Sequence, residues 1–317
     1  MAKSNPDGVY AAAHFGLELD GKQEVSLFRS IEGGGVKADV MTYQYGINDQ
    51  NGGYHRFRLL GKPKFEDIKL QVGMSMSGPF YDWIAAFFKG QPLRKNGAII
   101  AGDFYYKERA RRTFMNAMIK ELTFPKLDAN DKNPVYMNVG LAVESIEFAK
   151  GSGNAMPTQA KNFDDKQKHW TANNFHFQLD DYADACRRVV KVDSFTIKQN
   201  IIEHHYGGFK AAIKTPSAVE FPNLVFYIPE NDAQPLAAHM QKRVGFGADS
   251  GNGEVRNTTT MHGQLDVYDN ELKPIFTLEF FGADIISITP EKADAGSEEL
   301  KLVKVELYTE KMTFKYV

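Results

Sequence analysis

The spacing of apolar residues along the chain indicates a protein built mainly from β-strands. Ile68, Leu70, Val72 and Met74 alternate with polar or small residues, which is the period of a strand with one buried face. Residues 224–228 form a more continuously apolar run and predict a more buried strand. By the same criteria we predict further strands at 36–45, 98–106, 111–123, 192–204, 263–269 and 275–288.

One strong helical pattern stands between the strands. After Gly78 and Pro79, large apolar residues follow the spacing of a single helix face: Phe80, Trp83, Ile84, Phe87 and Phe88. Proline is favoured in a first turn, and Gly90 can end the helix. We predict a core helix; a membrane-surface helix would need a lysine-rich polar face. A fainter copy is formed by Pro235, Leu236, Met240, Val244 and Gly245.

The chain carries an internal repeat. The segment that begins at Phe15 (FGLELD) recurs 160 positions later at Phe175 (FHFQLD). The segment that begins at Val139 (VGLAVE) has a counterpart 166 positions later at Val305 (VELYTE). Nearly constant offsets predict two tandem domains, 1–150 and 173–317, each mainly β with one helix, joined by a polar linker at 151–172. Trp170 is expected to pin the far end of this linker.

Composition excludes several classes of protein. The chain has 317 residues, of which 43% are hydrophobic and 25% charged, as in an ordinary soluble globular protein. A formal net charge of -2 argues against sequence-independent binding to nucleic acid. No apolar run is long enough for membrane insertion, and the N-terminus lacks the apolar core of a signal peptide. The single Cys186 suits a reducing cytoplasm.

Candidate chemistry is sparse, and we expect no enzyme activity, no cofactor and no metal. His204 and His205 are adjacent, so on a strand they would face opposite sides and would not share zinc. Cys186 lies beside two arginines, which could make it reactive, but an inert thiol is the favoured interpretation. The basic run 107–112 could contact nucleic acid; a solvated hairpin end or charge pairing between subunits is favoured, because no aromatic platform accompanies the run.

A resemblance to a known family emerges from the order of short motifs in the first half. FGLELDG at Phe15 is followed by Tyr45-Gly46, by the basic stretch 56–65, by the Trp83 helix, by Phe114-x-Asn116-Ala117 and by the closing motif 139–148. This order resembles the tail-tube proteins of contractile-tailed phages, a fold shared with the tubes of type VI secretion and extracellular contractile injection systems. The second half is similar to the same family at Asp180, Tyr206-Gly207, Gly282-Ala283 and Glu310, but it lacks the tryptophan and the basic stretch.

The resemblance implies two sandwich or small-barrel domains of the tail-tube kind. Such domains join inner strands around a lumen, and the rings stack into a tube. A usual subunit has one domain, so three copies of this chain would give a pseudo-sixfold ring; six chains per ring is the other possibility. The partners implied are other copies, sheath, and baseplate or spike proteins, with DNA or protein cargo in the lumen. The protein would be made in the bacterial cytoplasm and would become part of a virion tail or of an extracellular or cytoplasmic contractile particle.

Two roles are compatible with this resemblance: the main inner tube, and a tube initiator or baseplate hub adaptor that joins a threefold spike to a sixfold tube. A carbohydrate-binding β module is less well supported, because Trp83 is best explained as core. We expect contacts between stacked rings in the loop formed by Tyr45, Gly46, Asn51, Gly52, Gly53 and Tyr54. Ionic contacts with a neighbour are expected from Arg56, Arg58, Lys62 and Lys64, with Asp128, Asp131, Glu144 and Glu147 as their partners.

Overall fold

A computed structural model of the chain describes residues 14–24, 28–45, 55–73, 77–156, 170–245, 260–292 and 300–316. The strands of its first half are β1 (Phe15–Leu19), β2 (Lys22–Glu24), β3 (Phe28–Gly33), β4 (Val36–Tyr45), β5 (His55–Phe65), β6 (Ile68–Val72), β7 (Lys95–Gly102), β8 (Glu108–Phe124), β9 (Leu127–Asp128), β10 (Met137–Ala142) and β11 (Ser145–Lys150).

The strands of the second half are β12 (Phe175–Leu179), β13 (Lys191–Val192), β14 (Phe195–His204), β15 (Ile213–Glu220), β16 (Leu224–Pro229), β17 (Met261–Tyr268), β18 (Pro274–Pro290), β19 (Leu302–Tyr308) and β20 (Lys311–Tyr316). The helices are α1 (Gly78–Phe88), α2 (Ala183–Cys186) and α3 (Gln234–Val244). The fold is therefore mainly β, as predicted.

The long strand β8 organises the first half. Its N-terminal part pairs with β7 and β11, and its C-terminal part pairs with β10, so the strand passes from one sheet layer into the other. β1 and β2 extend the first layer, and β6 and β3 extend the second. The hairpin β4–β5 forms a separate two-stranded sheet. Apolar side chains between the layers form the core, which α1 closes with Phe80 and Trp83.

The second half repeats most of this scheme. β18 has the role of β8: it pairs with β17 and β20 in one layer and with β19 in the other. β12 pairs with β17 as β1 pairs with β7, and β16 pairs with β19 as β6 pairs with β10. Thus the tandem arrangement inferred from sequence is also an arrangement of strands, because the same pairings occur in the same chain order.

The repeat extends to register and to irregularities. In the first hairpin Thr42 pairs with Arg58, and in the second Glu203 pairs with Lys214. Each hairpin has its register shift at the same step, between Ala38 and Val40 in one and between Gln199 and Ile201 in the other. A bulge is a specific local feature of a ladder, so its recurrence fixes which residues of the two hairpins correspond. Arg58 corresponds to Lys214 and Val36 to Ile197.

Both long strands bend where they change layers. Asn116 in β8 has φ of 52°, and Gly282 in β18, 166 positions later, has φ of 63°. This left-handed conformation suits glycine and asparagine and turns the strand out of its first layer. A glutamate two positions after each following strand holds the bend by a backbone hydrogen bond. The Glu144 N–H donates to the Met115 carbonyl, and the Glu310 N–H donates to the Phe281 carbonyl, both at 3.1 Å.

The two longer helices are held in different ways. In α1 the Ser77 hydroxyl caps the first turn, the predicted residues Phe80, Trp83, Ile84 and Phe87 are buried, and the Trp83 indole donates to the Leu93 carbonyl at 2.9 Å. In α3, His239 and Arg243 occupy the positions of Trp83 and Phe87. Both bind the buried carboxylate of Asp284, with His239 Nε2 at 3.0 Å and Arg243 Nε at 2.5 Å. A polar cluster therefore replaces an aromatic contact.

Some predicted boundaries were wrong. The strand predicted at 98–106 spans Lys95–Gly102, because the Asp103 carboxylate accepts from the Tyr105 and Lys107 N–H groups and closes a turn there. The strand predicted at 192–204 begins at Phe195. The described ends of the predicted linker are packed, since Met156 and Trp170 are both buried. Residues 157–169 and the loop 46–54 lie outside the described residues.

Candidate assembly interface

The two halves of the chain join through a continuous sheet. The first four residues of β14 pair with the end of β8, from Phe195 opposite Phe124 to Lys198 opposite Glu121. The hairpin β14–β15 of the second half thereby extends the sheet of the first half. Adding a strand to an open edge satisfies backbone groups that would otherwise be unpaired. Ile197, at the centre of this junction, is completely buried.

A half-buried carboxylate holds the hairpin at Lys214. Glu144 Oε1 accepts from the Lys214 N–H at 2.8 Å and from Arg94 Nη1 at 2.5 Å, while Asn116 donates to Oε2 at 2.7 Å. Arg94 Nη2 also donates to the Lys214 carbonyl at 2.6 Å. Burial acts to raise the pKa of Glu144, but these donors hold it below its usual value. Charge-assisted bonds of this kind fix the hairpin in one register.

An aromatic cluster seals the other part of the junction. Phe314 on β20 lies near Phe88, Phe124 and Phe276, with ring centroids 5.7, 6.3 and 5.3 Å away. Tyr81 of α1 stacks on Tyr316, and Trp170 packs edge-on against Phe276. The end of the second half's sheet, along β18 and β20, is thus covered by α1, the end of β8 and Trp170.

The equivalent end of the first half is uncovered. It forms a groove of about 850 Å³ whose lining includes Phe15, Ile99, Arg112 and Phe148. Phe148 is 65% exposed, whereas Phe314, its counterpart 166 positions later, is 8% exposed. The difference arises because Phe314 has the first half packed on it. An exposed apolar surface that is buried at its internal counterpart is typical of an interface.

The first hairpin is uncovered as well. Val40, Met41, Phe57, Leu59 and Leu60 on β4–β5 are all exposed. Val36 is 43% exposed, in contrast to the fully buried Ile197 at the corresponding position. On β18, the stretch from Ser287 to Pro290 corresponds to the part of β8 that receives β14, yet within the described residues it pairs with β19 alone. A donor hairpin and an acceptor edge are therefore both open.

The residues predicted from sequence lie in several places. Arg56, Arg58, Lys62 and Lys64 all project from β5 and are exposed. Lys64 pairs with Asp39 at 2.7 Å, and Lys62 donates to the Tyr206 carbonyl at 3.3 Å. Asp128 binds Lys126 at 2.9 Å. Asp131 caps a turn at Asn133, and Glu147 is exposed on β11. Glu144 is bound within its own chain, so contacts of these groups with a neighbouring subunit stay predictions.

Sequence reasoning missed the acceptor edge of β18, the uncovered groove and the role of Arg94. Glu144 binds Arg94 and Lys214, which lie 50 and 70 positions away along the chain, so no local spacing in the sequence reveals these contacts. A usable signal existed for Glu144 alone, since it recurs in the repeat as Glu310.

The basic run 107–112 is paired within the chain. Arg109 binds Asp103 at 2.8 Å through Nε, Arg111 binds the buried Glu108 at 2.8 Å and Glu18 at 3.0 Å, and Arg112 donates to the Gly33 carbonyl. The charge pairing expected between subunits is therefore intramolecular. Carboxylates thus neutralise two of the four cations in the run, which argues against a nucleic-acid site.

The other candidate groups are placed as ordinary structural residues. Burial raises the pKa of the Cys186 thiol to about 12, against a hydrogen bond with the Leu179 backbone that lowers it, so the thiolate is disfavoured at neutral pH. His204 and His205 are both exposed. Within the described ranges, His, Cys, Asp and Glu nowhere form a group of three that could hold a metal ion. In the same ranges, every helix is too short or too polar to cross a membrane.

These features define a structural protein that carries two copies of one β-rich unit. Residues 11–161 match the family model described as T4-like virus tail tube protein gp19. The first half of the chain is thus similar to this tail tube family, which the order of its motifs indicated. The family is one of structural proteins. No curated protein sequence matches the chain.

Several solved structures are similar to parts of the chain. One is from the baseplate of the anti-feeding prophage, sixfold symmetrised: 16% identity, 45% of this chain and 91% of that chain covered, TM-score 0.33. Another is from the extended sheath–tube complex of PVC, an extracellular contractile injection system: 13% identity, 51% and 100% covered, TM-score 0.34. A third is from the tube-terminating cap of the anti-feeding prophage: 12% identity, 52% and 98% covered, TM-score 0.37.

Proposed function

We propose that this chain assembles head to tail into closed rings, and that the rings form the inner tube, or a tube-like ring, of a contractile phage tail or contractile injection system. The observation that carries the proposal is the internal junction between the halves. The second half donates the hairpin β14–β15 and the sheet end at β18 and β20, and the first half accepts them with the edge of β8 and with α1. The chain bears a second, unused copy of each surface, and these complementary surfaces lie on opposite halves.

Complementary surfaces at the two ends of one chain generate a heterologous interface, which closes into a ring when the rotation allows. Each added chain would contribute β4–β5 to the β18 edge of its neighbour, and α3 of that neighbour would lie over the groove of the added chain. Such closure pairs the open edge of β18, which would otherwise invite irregular pairing. Sheath, baseplate or spike proteins are the proposed outer partners, and DNA or protein is the proposed cargo.

The number of chains per ring follows from the duplication. Two domains per chain give six domains from three chains, so we expect a trimer with pseudo-sixfold symmetry. Native mass spectrometry of purified rings measures this directly, since each chain has a mass of 35.6 kDa. A mass of three chains is expected, and a mass of six chains would overturn the trimer.

The register of the proposed interface can be tested by cross-linking. In the internal junction Ile197 lies directly opposite Leu122. The corresponding outer residues are Val36 and Ile288, so cysteines at both positions of one variant should form disulfides between chains under mild oxidation. Directly opposed residues on paired strands have Cα atoms about 4.5–5.5 Å apart, within the range of a disulfide.

A matched control is cysteine at Val36 combined with cysteine at Thr289. Adjacent positions on a strand face opposite sides, so this pair should cross-link at least about tenfold less. Covalent ladders on a denaturing gel report the result, and the buried Cys186 should not contribute. Equal cross-linking of both pairs, or of neither while rings are present, would contradict the proposed register.

A second role, as tube initiator or baseplate hub adaptor, is favoured by one difference between the halves. The turn between β7 and β8 exposes Phe104, Tyr105 and Tyr106, whereas the equivalent turn between β17 and β18 carries Asn270, Glu271 and Leu272. A trimeric ring would therefore alternate aromatic and mainly polar tips with threefold period, which suits a threefold partner. Electron microscopy separates the roles: long tubes from the purified protein support the main tube, and single rings support the adaptor.

A further inference from the structure

We propose that Glu310 receives the hairpin β4–β5 of a second copy of this chain at Arg58, as Glu144 receives β15 at Lys214. The inference rests on the proposed ring and identifies the ionic contact that selects its interface. It also replaces the partners predicted for Arg58 from sequence, namely Asp128, Asp131, Glu144 and Glu147, with a residue of the other half.

Glu310 occupies the place of Glu144 in the fold. Glu144 follows β10 and precedes β11, and Glu310 follows β19 and precedes β20. Their backbone N–H groups make the same bond to the bend of the long strand. The Glu310 carboxylate lies against Gly282: a Cβ on that glycine would come within 2.5 Å of Oε2. The carboxylate is thus positioned over the bend, as that of Glu144 is over Asn116.

The Glu310 carboxylate lacks the donors that Glu144 has. Gly282 stands where Asn116 would supply an amide, and Thr260 stands before β17 where Arg94 stands before β7. Among the described residues, no side chain makes a hydrogen bond or ion pair with the Glu310 carboxylate, and the residue is exposed. The first half binds the equivalent carboxylate with three donors, whereas the second half presents an exposed acceptor to which a second chain can supply donors.

Arg58 is placed to supply them. Arg58 corresponds to Lys214 by the shared register and bulge of the hairpins. If a second chain docks with the geometry of the junction between the two halves, the Arg58 backbone N–H comes to Glu310. In the internal junction the corresponding Lys214 ammonium lies 3.5 Å from Glu203 and 3.9 Å from Asp67. The proposal therefore requires the longer Arg58 side chain to turn toward Glu310, where its guanidinium would provide the positive charge that Arg94 provides in the first half. In the internal junction the cation, Arg94, belongs to the accepting half, whereas in the proposed contact the cation, Arg58, belongs to the donated hairpin. Paired and hydrogen-bonded charges at an interface give specificity, and removing one partner weakens binding strongly.

This arrangement also explains how the chain avoids the wrong pairing. The site at Glu144 is already filled by the chain's own β15, with Lys214 only 8% exposed in its side chain. Among the described residues, the Glu310 site is open and β4–β5 is the hairpin that pairs with no further strand. A second copy can therefore add in one orientation, as a closed ring requires.

Charge exchange tests the contact. Arg58→Glu and Glu310→Arg should each raise the protein concentration needed for half-maximal ring assembly by at least about tenfold, measured by mass photometry. The double variant should recover most of this loss, because it restores opposite charges. Glu310→Gln, with a weaker expected effect of about three- to tenfold, guards against misfolding of the reversed variant; circular dichroism checks the folding of each.

The control combines Arg58→Glu with Glu147→Arg, which reverses an exposed glutamate that lies on β11 away from Glu310. This double variant should keep the full defect of Arg58→Glu. Normal assembly of Glu310→Arg, or a folded exchange variant without recovery, would overturn the contact. If rings and the Val36–Ile288 cross-link persist in those cases, the contact is wrong and the proposed ring is still supported. If the unmodified protein forms no rings, the proposed function is wrong.

Discussion

Replacing Phe148 with glutamate is expected to abolish ring assembly and to leave the monomer as stable as the unmodified protein. Phe148 is exposed on β11 and lines the groove that α3 of a neighbour would cover. Burying a phenylalanine contributes about 1.5–3 kcal/mol, and a carboxylate in its place would have to be desolvated without a partner. Because nothing in the monomer packs on this side chain as it does on Phe314, its thermal unfolding should be unchanged.

The matched variant is Phe314→Ala, at the equivalent position of the second half. There the same ring is buried against α1 and Phe124, so its removal should cost about 3–5 kcal/mol of folding stability. Sedimentation velocity measures assembly, and chemical denaturation measures stability. If Phe148→Glu assembles normally, or if it destabilises the monomer as much as Phe314→Ala does, the groove is not the interface.

Replacing Asp284 with alanine is expected to destabilise the second half by about 3 kcal/mol. The side chain binds His239 and Arg243, and its loss removes a charge-assisted hydrogen bond from each of these two partly buried groups. Burial acts to raise the pKa of Asp284, but the hydrogen bonds from His239 and Arg243 hold it below its ordinary value. The carboxylate is therefore the preferred form in the folded chain.

The sign of the pH dependence follows from this lowered pKa. An unfolded aspartate takes up its proton near pH 4, before the folded one does, so the stabilisation from Asp284 is complete above that value and is lost as the pH falls through the folded pKa. The difference in stability between the unmodified protein and Asp284→Ala should be constant from about pH 5 to 7 and should shrink below about pH 4.

Glu271→Gln is the control for this pair of measurements. Glu271 and its partner Lys273 are both 71% exposed in their side chains, so water and salt screen their ion pair and its removal should change stability little. Urea denaturation at a series of pH values gives both quantities. A difference between unmodified protein and Asp284→Ala that does not shrink in acid would show that the cluster does not act through its carboxylate.

What the sequence determined by itself was periodic and local. Alternation at Ile68, Leu70 and Val72 defines a strand because side chains on a strand face opposite sides in turn. Spacing from Phe80 to Phe88 defines α1 because one face of a helix recurs every three to four residues. The duplication was visible because residues on buried faces, such as Leu17 and Phe177, are limited to a few types. These constraints act between neighbours along the chain.

The tertiary structure decided how the two copies differ in their surroundings. Phe148 and Phe314 have the same identity and the same place in the repeat, yet one is exposed and the other buried, because only the second has a half of the same chain packed on it. Glu144 is bound by Arg94 and Lys214, which are distant along the chain, whereas Glu310 has no such donors among the described residues. Contacts between distant residues depend on how the sheets pack together, and this packing cannot be predicted from local sequence patterns.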